Sequence, residues 1–290
     1  MAENSGRESG GGCSRCESSP EVPAGPGTLY LWAPLGHTAG KVRRYLKGSG
    51  RGYRSAAGGG VALRLEDGSM TRLLSELSGE MLTSRELADT RALFKSGDEE
   101  PTADDIPEVR SLKQLATLDR SGWLLDLLSE GRLTSVFQPI VRVEDTSEVF
   151  AQECLLRGVD RGGGFIPPQP ILDAARDCGM LFQADLAARH TAIHEAADHG
   201  IGDNLFVNFS PTSIYDPVFC LRSTVEAVNE TGLSPKNVVF EVTETEEVGD
   251  PEHLRSIVSY YRNQGFRIAL DDLGSGYSSL NLIHRLRPDF

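Results

Sequence analysis

The sequence predicts an α/β protein, a partial TIM-like (β/α) barrel preceded by a small α/β module. Two observations carry this. From Leu133 onward, strand-like runs alternate with helix-like runs, the pattern that builds a parallel sheet. A polar, oxygen-bearing side chain also recurs near the C-terminal end of each strand, the end where barrels of this kind carry their chemistry. At 290 residues the chain has room for two domains and a sizeable core.

Residues 1–27 are rich in Gly, Ser, Pro and Glu and read as a disordered tail. Cys13 and Cys16 form a CxxC within it. A structural zinc needs four ligands, and no second CxxC follows; His37 is the nearest other candidate. A metal or redox pair and an incidental pair both remain open. Residues 28–97 read as a small α/β regulatory module. An alternating strand at 28–33 leads to a helix at 39–47 capped by Thr38. Strands at 53–55 and 61–65 flank the turn Gly58-Gly59-Gly60. Residues 70–94 read as one helix with Leu73, Leu74, Leu77, Met81 and Leu82 at core spacing.

Two stretches of the module invite functional readings. Residues 36–41, GHTAGK, approach a phosphate loop but are one residue short, and Val42 stands where Ser or Thr would hold magnesium. Lys41, Arg43, Arg44, Lys47, Arg51 and Arg54 cluster as a solvated basic face or as a contact for an anion or partner.

Residues 98–130 read as a linker and connecting helix. The stretch 95–108 is acidic and holds two prolines, and 112–128 gives an amphipathic helix or helix pair expected to cover the next domain. Residues 131–290 form the second domain. Strands are expected at 135–143 and 149–157, paired as a hairpin across Asp145-Thr146, and then at 205–210, 238–243 and 268–271. Helices are expected at 171–178, 183–197, 218–231 and 253–264.

Side chains alternate along a strand, so parity shows which candidates share a face. Glu153, Leu155 and Arg157 share one; so do Phe206, Asn208 and Ser210; Val239, Glu241 and Thr243; and Ala269 and Asp271. Asp271 and Asp272 then stand side by side at a strand end, opening DDLGSGYSSL at 271–280. Adjacent carboxylates repel unless a cation lies between them, and Gly274 and Gly276 let the backbone turn closely over a bound group. The alternative is a helix at 277–285 capped by Asp272 or Ser275. Glu153, Asn208, Glu241, Asp271 and Asp272 are all oxygen donors, a set that selects Mg²⁺, Mn²⁺ or Ca²⁺ over zinc. Five donors exceed what one magnesium usually takes from protein. Two ions about 4 Å apart are the usual device for phosphodiester hydrolysis.

FQPIV at 137–141, ECLLR at 153–157, VNFSP at 207–211, EVTE at 241–244 and DDLGSGYSSL at 271–280 occur in one order. Together they resemble the EAL-domain cyclic-di-GMP phosphodiesterases, over roughly residues 130–290. The resemblance implies a barrel of the EAL type and hydrolysis of cyclic-di-GMP to linear pGpG at a two-ion Mg²⁺ or Mn²⁺ site. It implies Glu153, Asn208, Glu241, Asp271 and Asp272 as metal ligands, with Asp271 bridging the ions and both aspartates catalytic. Gln138 and Arg157 would hold substrate, a guanidinium suiting a phosphate. Glu244 would tie down the loop carrying Gly274 and Ser275, and a homodimer would form through the intact domain.

This sequence departs from the family pattern in places. Cys154 replaces a small alanine, and Leu273 replaces an aromatic. The chain ends at RPDF, 287–290, where the family continues into a sixth strand and its general-base lysine. About five of eight barrel strands are then expected. With open strand edges, poor solubility or completion by a partner is expected, as is absent or weak catalysis. The competing reading is a catalytically inactive protein that binds cyclic-di-GMP or another protein.

The net charge of −13 argues against DNA, RNA and anionic membranes as partners. No apolar run reaches a membrane span, and the N-terminus lacks a signal peptide's apolar segment, so the cytoplasm is expected. The 5 scattered cysteines fit reduced thiols, with Cys178 and Cys220 read as buried. His190 and His194 stand at i,i+4 on a helix; a half-exposed helical face is the plainer reading, a metal pair the other.

Overall fold

A computed structural model describes residues 23–243, 250–272 and 279–290. The chain divides into two compact units. Among the described residues, one comprises 23–126 with Asp173–Gly179, and the other comprises Leu127–Leu172 with those from Met180 onward.

The first unit is built on an antiparallel sheet of order β2-β3-β1-β4-β5. In chain order its elements are β1 (Gly27–Trp32), α1 (Gly36–Gly48), β2 (Arg54–Ser55), β3 (Val61–Leu65), α2 (Ser69–Glu76), α3 (Ser84–Asp89), β4 (Arg91–Ser96), β5 (Arg110–Ser111) and α4 (Leu112–Arg120). Leu29 and Leu31 on β1 alternate with Tyr30, so the strand serves two cores. One holds Leu29, Leu31, Leu63 and Leu65 against Val42, Leu46, Leu73 and Leu74. The other holds Tyr30, Ala62 and Leu93 with Trp32 and Val109 packed against them.

Two expectations change here. Residues 70–94 are not one helix. After α2 a π turn spans Leu77–Met81. Thr83 then caps α3 in a box with Glu86, each side chain bonding the other's backbone N–H. Residues 91–96 form a strand beside β1. The TxxE signal at 83–86 announces that break. The second change concerns α4. It buries Leu112, Leu115 and Ala116 in the first unit's own core. A smaller difference is at α1, where Leu35 is the N-cap and Thr38 instead donates to Glu86 at 3.1 Å.

The unit boundary falls within α5 (Gly122–Ser129) and again within α6 (Pro168–Cys178). The second unit has the sheet order β11-β10-β9-β7-β6, with β8 (Phe165–Ile166) paired to β7. Its path runs β6 (Leu133–Val141), β7 (Val149–Val159), α7 (Leu181–Asp198), β9 (Asn204–Asn208), α8 (Pro217–Cys220), α9 (Arg222–Thr231), β10 (Val238–Thr243), α10 (Pro251–Asn263), β11 (Arg267–Asp271) and α11 (Ser279–Leu286). β6 and β7 form the expected antiparallel hairpin, and β7, β9, β10 and β11 are parallel neighbours.

Helical crossovers cover one sheet face. Leu205, Val207, Phe240, Val242 and Ile268 pack there against Ile193, Val228, Ile257 and Tyr261. The other face carries a small layer of Ala151, Phe206, Val239 and Ala269, one residue from each parallel strand, with Ile140 and Phe150 beside it. This layer is the floor on which the site stands. Beyond α11 the chain returns to β11. The Asp289 N–H donates to Ile268 O at 2.7 Å, and the Phe290 ring lies 5.3 Å from Phe206.

Candidate active site at the strand ends

One inward position beyond the floor layer, each parallel strand carries a hard oxygen donor: Glu153 after Ala151, Asn208 after Phe206, Glu241 after Val239, Asp271 after Ala269. The ladders bring them together. Asn208 is the direct partner of Glu241 across β9–β10, and Gln138 is the direct partner of Glu153 across β6–β7.

Their electrostatics follow from that proximity. Burial, and then the Asp271 charge, raise the Glu153 carboxyl above the usual range, while a hydrogen bond with the Asn208 side chain pulls the other way. Burial, followed by the charges of Glu153 and Asp271, pushes Glu241 up to about 8. Glu241 is only 7% exposed, and its Oε2 is buried with no hydrogen-bond partner. A buried carboxylate oxygen left in this way is costly unless a proton or a cation meets it.

That orphaned atom bears on whether a divalent cation suits the site. Glu153, Asn208, Glu241 and Asp271 offer oxygen only, the chemistry of Mg²⁺, Mn²⁺ and Ca²⁺ sites. Among the described residues no three His, Cys, Asp or Glu side chains close into a ligand cluster as they stand. The donors match such a cation in type, and the partnerless Glu241 Oε2 is an atom that a cation would satisfy.

Asp272 follows Asp271 with φ at 55°, a left-handed conformation that a non-glycine residue adopts at some cost and that turns the chain sharply off the strand. Arg157 lies near the C-terminal end of β7 on the parity of Glu153, half-buried, its Nη1 donating to Leu156 O at 2.7 Å. Glu244, Gly274 and Ser275, like Cys13, Cys16 and Leu273, lie outside the described residues. Cys154 points to the helix-covered core, where burial and then the charges of Glu241 and Glu153 raise its thiol well above the usual range. It is therefore a neutral packing group. Cys178 and Cys220 are buried, as read from the sequence. His190 is half-buried with its Nε2 unpartnered, and His194 is exposed.

The sequence reading passes over Asp185 and Arg189, which lie buried on the helix 181–198. Their only local signal is a charged i,i+4 pair on that helix.

The sequence pattern of the EAL domain matches residues 121–290. The chain belongs to the EAL domain family. It is 32% identical over 165 residues to the probable cyclic di-GMP phosphodiesterase PdeI of Escherichia coli K12, covering 55% of this chain and 21% of that protein. It is 29% identical over 172 residues to the probable cyclic di-GMP phosphodiesterase PdeG of the same organism, covering 56% and 32%. The chain thus spans about a fifth to a third of these relatives. Among solved structures, the EAL domain of FimX from Pseudomonas aeruginosa, bound to c-di-GMP, superimposes with a TM-score of 0.51 at 23% identity. It covers 57% of this chain and 67% of that one. That likeness shows the fold: the second unit is a partial TIM-like barrel of the EAL type. EAL domains as a family are metal-dependent.

Proposed function

We propose that the protein binds cyclic-di-GMP and hydrolyses it to linear pGpG at a divalent-cation site formed by Glu153, Asn208, Glu241, Asp271 and Asp272. One observation carries the reading. Four oxygen donors stand one step above a shared apolar floor, and the most deeply buried of them has an oxygen with no partner. The FQPIV, ECLLR, VNFSP, EVTE and DDLGSGYSSL blocks support it.

In this reading Glu153, Asn208, Glu241, Asp271 and Asp272 would hold two Mg²⁺ or Mn²⁺ ions. When bound, such ions lower the pKa of a coordinated water and neutralise charge building on the phosphate. The chain's own groups do the rest. Arg157 takes a phosphate oxygen through its planar fork of donors. Gln138, opposite Glu153, orients the dinucleotide. The apolar floor beneath keeps water from the buried Glu241, where electrostatic interactions are strong. Glu244 restrains the loop of Gly274 and Ser275. The same reading places residues 28–97 as a regulatory module and the protein in the cytoplasm as an EAL-mediated homodimer. Among the described residues no helix is long and apolar enough to cross a membrane.

Calorimetry of the full chain with Mn²⁺ and cyclic-di-GMP, alongside chromatographic detection of pGpG, tests the reading. Metal-dependent cyclic-di-GMP binding, with at most slow pGpG release that Glu153→Gln abolishes, is the expected result. Tight nucleotide binding without turnover would replace hydrolysis by ligand sensing. Failure to bind Mn²⁺ at all would remove the site.

A further inference from the structure

The barrel's helix layer contains a buried charge pair that the proposed chemistry does not use. Arg189 on α7 is fully buried and Asp185, one turn earlier, is 6% exposed. The guanidinium Nε donates to Asp185 Oδ2 at 3.1 Å, with Nη2 3.0 Å from the same oxygen. Nη1 donates to the Thr224 hydroxyl on α9 and to the Tyr261 hydroxyl on α10, the latter at 3.2 Å. Asp185 in turn accepts from the Ser210 backbone N–H at 2.8 Å through Oδ1, and from the Ser213 hydroxyl at 3.3 Å through Oδ2.

These contacts meet the site at two points. Ser210 is two residues beyond Asn208, where β9 leaves the sheet; between them the Phe209 N–H donates to Glu241 O at 3.3 Å. Tyr261 stacks on Phe240, centroids 3.9 Å apart and planes at 19°, and Phe240 directly precedes Glu241. Stability is a weak reason for such a pair. Well-packed apolar residues of similar volume often serve a core as well or better. What they cannot do is accept the Ser210 N–H, which is buried and needs a partner.

We propose that Asp185, oriented by Arg189, is a positioning residue that fixes the backbone after Asn208 and so sets Asn208 against Glu241 for cation binding. The proposal rests on the reading of Asn208 and Glu241 as cation ligands. Asp185 touches neither ligand nor cation; it acts through the Ser210 N–H.

Two double variants of the full chain separate this anchor from fold stability. Asp185→Leu with Arg189→Met removes the acceptor but keeps an apolar, volume-matched core. Asp185→Asn with Arg189→Gln removes both charges but leaves an amide oxygen for the Ser210 N–H. Mn²⁺ affinity is read by calorimetry and folding by the thermal midpoint. The apolar pair should fold cooperatively yet bind Mn²⁺ about tenfold or more weakly, the range typical of supporting groups behind metal ligands. The amide pair should retain affinity near that of the unaltered chain. Unchanged affinity in a folded apolar pair would overturn the anchor. If the apolar pair does not fold, Ser213→Ala decides. It removes one bond to Asp185 and one to Ser210 O, and should weaken Mn²⁺ binding severalfold; no change would overturn the proposal. Absence of Mn²⁺ binding by the unaltered chain is a different failure, which sinks the site assignment and the anchor with it.

Discussion

Glu241 sits directly across the β9–β10 ladder from Asn208, and one of its carboxylate oxygens is buried without a partner. An amide and an orphaned carboxylate side by side above an apolar floor form a place where a proton and a divalent cation compete.

That competition predicts an inverted pH dependence of stability. Glu241 titrates at about 8 in the folded protein, well above an ordinary glutamate, so the folded state holds its proton more tightly than the unfolded state. Without metal, this contribution is fully present below the ordinary glutamate range and is lost as pH rises through about 8. Thermal melts in a chelator should therefore show a midpoint falling from pH 5 to 9 through this group, and Glu241→Gln should flatten that part of the curve. Added Mn²⁺ should raise the midpoint most at the alkaline end, and Glu241→Gln should lose that response. A metal-free midpoint that rises across the same window in step with Glu241→Gln would contradict the assignment.

Arg157 separates substrate from metal. Charge-assisted hydrogen bonds contribute roughly 1.5–3 kcal/mol each, so losing the guanidinium should weaken cyclic-di-GMP binding about tenfold or more. Arg157→Lys keeps the charge but not the fork, and should recover only part of the loss. Mn²⁺ affinity should not move in either variant. Calorimetry with the two ligands in turn checks this; equal losses for both would place Arg157 in the metal site itself.

Much of the second unit is legible in the sequence because its strands are short apolar runs between clear breaks. β10 spans Val238–Thr243 as read, and the parity of Glu153, Asn208, Glu241 and Asp271 follows from counting by two along each strand. Elsewhere the local pattern misleads. The leucines at 73, 74 and 77 continue into 81–82 with helical spacing, which hides the Thr83 cap and the strand at 91–96. The amphipathic pattern of Leu112–Arg120 says that one face is buried, but not in which core. The Asp185–Arg189 anchor is beyond any local reading, since Arg189 meets Thr224 and Tyr261 at separations of 35 and 72 residues.

The break that the sequence hides is itself testable. Thr83 accepts from the Glu86 N–H, and Glu86 returns a bond to the Thr83 N–H at 2.9 Å. Thr83→Ala should destabilise the first unit by about 1 kcal/mol, the usual cost of losing such a cap. Denaturant melts that follow this unit should show the shift, while Mn²⁺ affinity stays unchanged. Equal stability would mean that the box is formed but idle.

Glu86 also predicts where the first unit fails in acid. The Thr83 backbone N–H, and then Lys41, hold its carboxyl at about 2. Lys41 approaches at 2.9 Å, and the Thr38 hydroxyl donates at 3.1 Å. A depressed folded value means that stability is present above the ordinary glutamate range and is lost as pH falls through about 2. Glu86→Gln keeps the size but surrenders the charge. It should lower the unit's stability at neutral pH and leave it nearly unchanged at pH 2, so the two curves converge on acidification. Lys41→Met should move the unaltered curve partway in the same direction, because the Thr83 bond remains. Parallel curves for the unaltered chain and Glu86→Gln across the whole range would mean that the carboxylate's neighbours contribute shape and not charge.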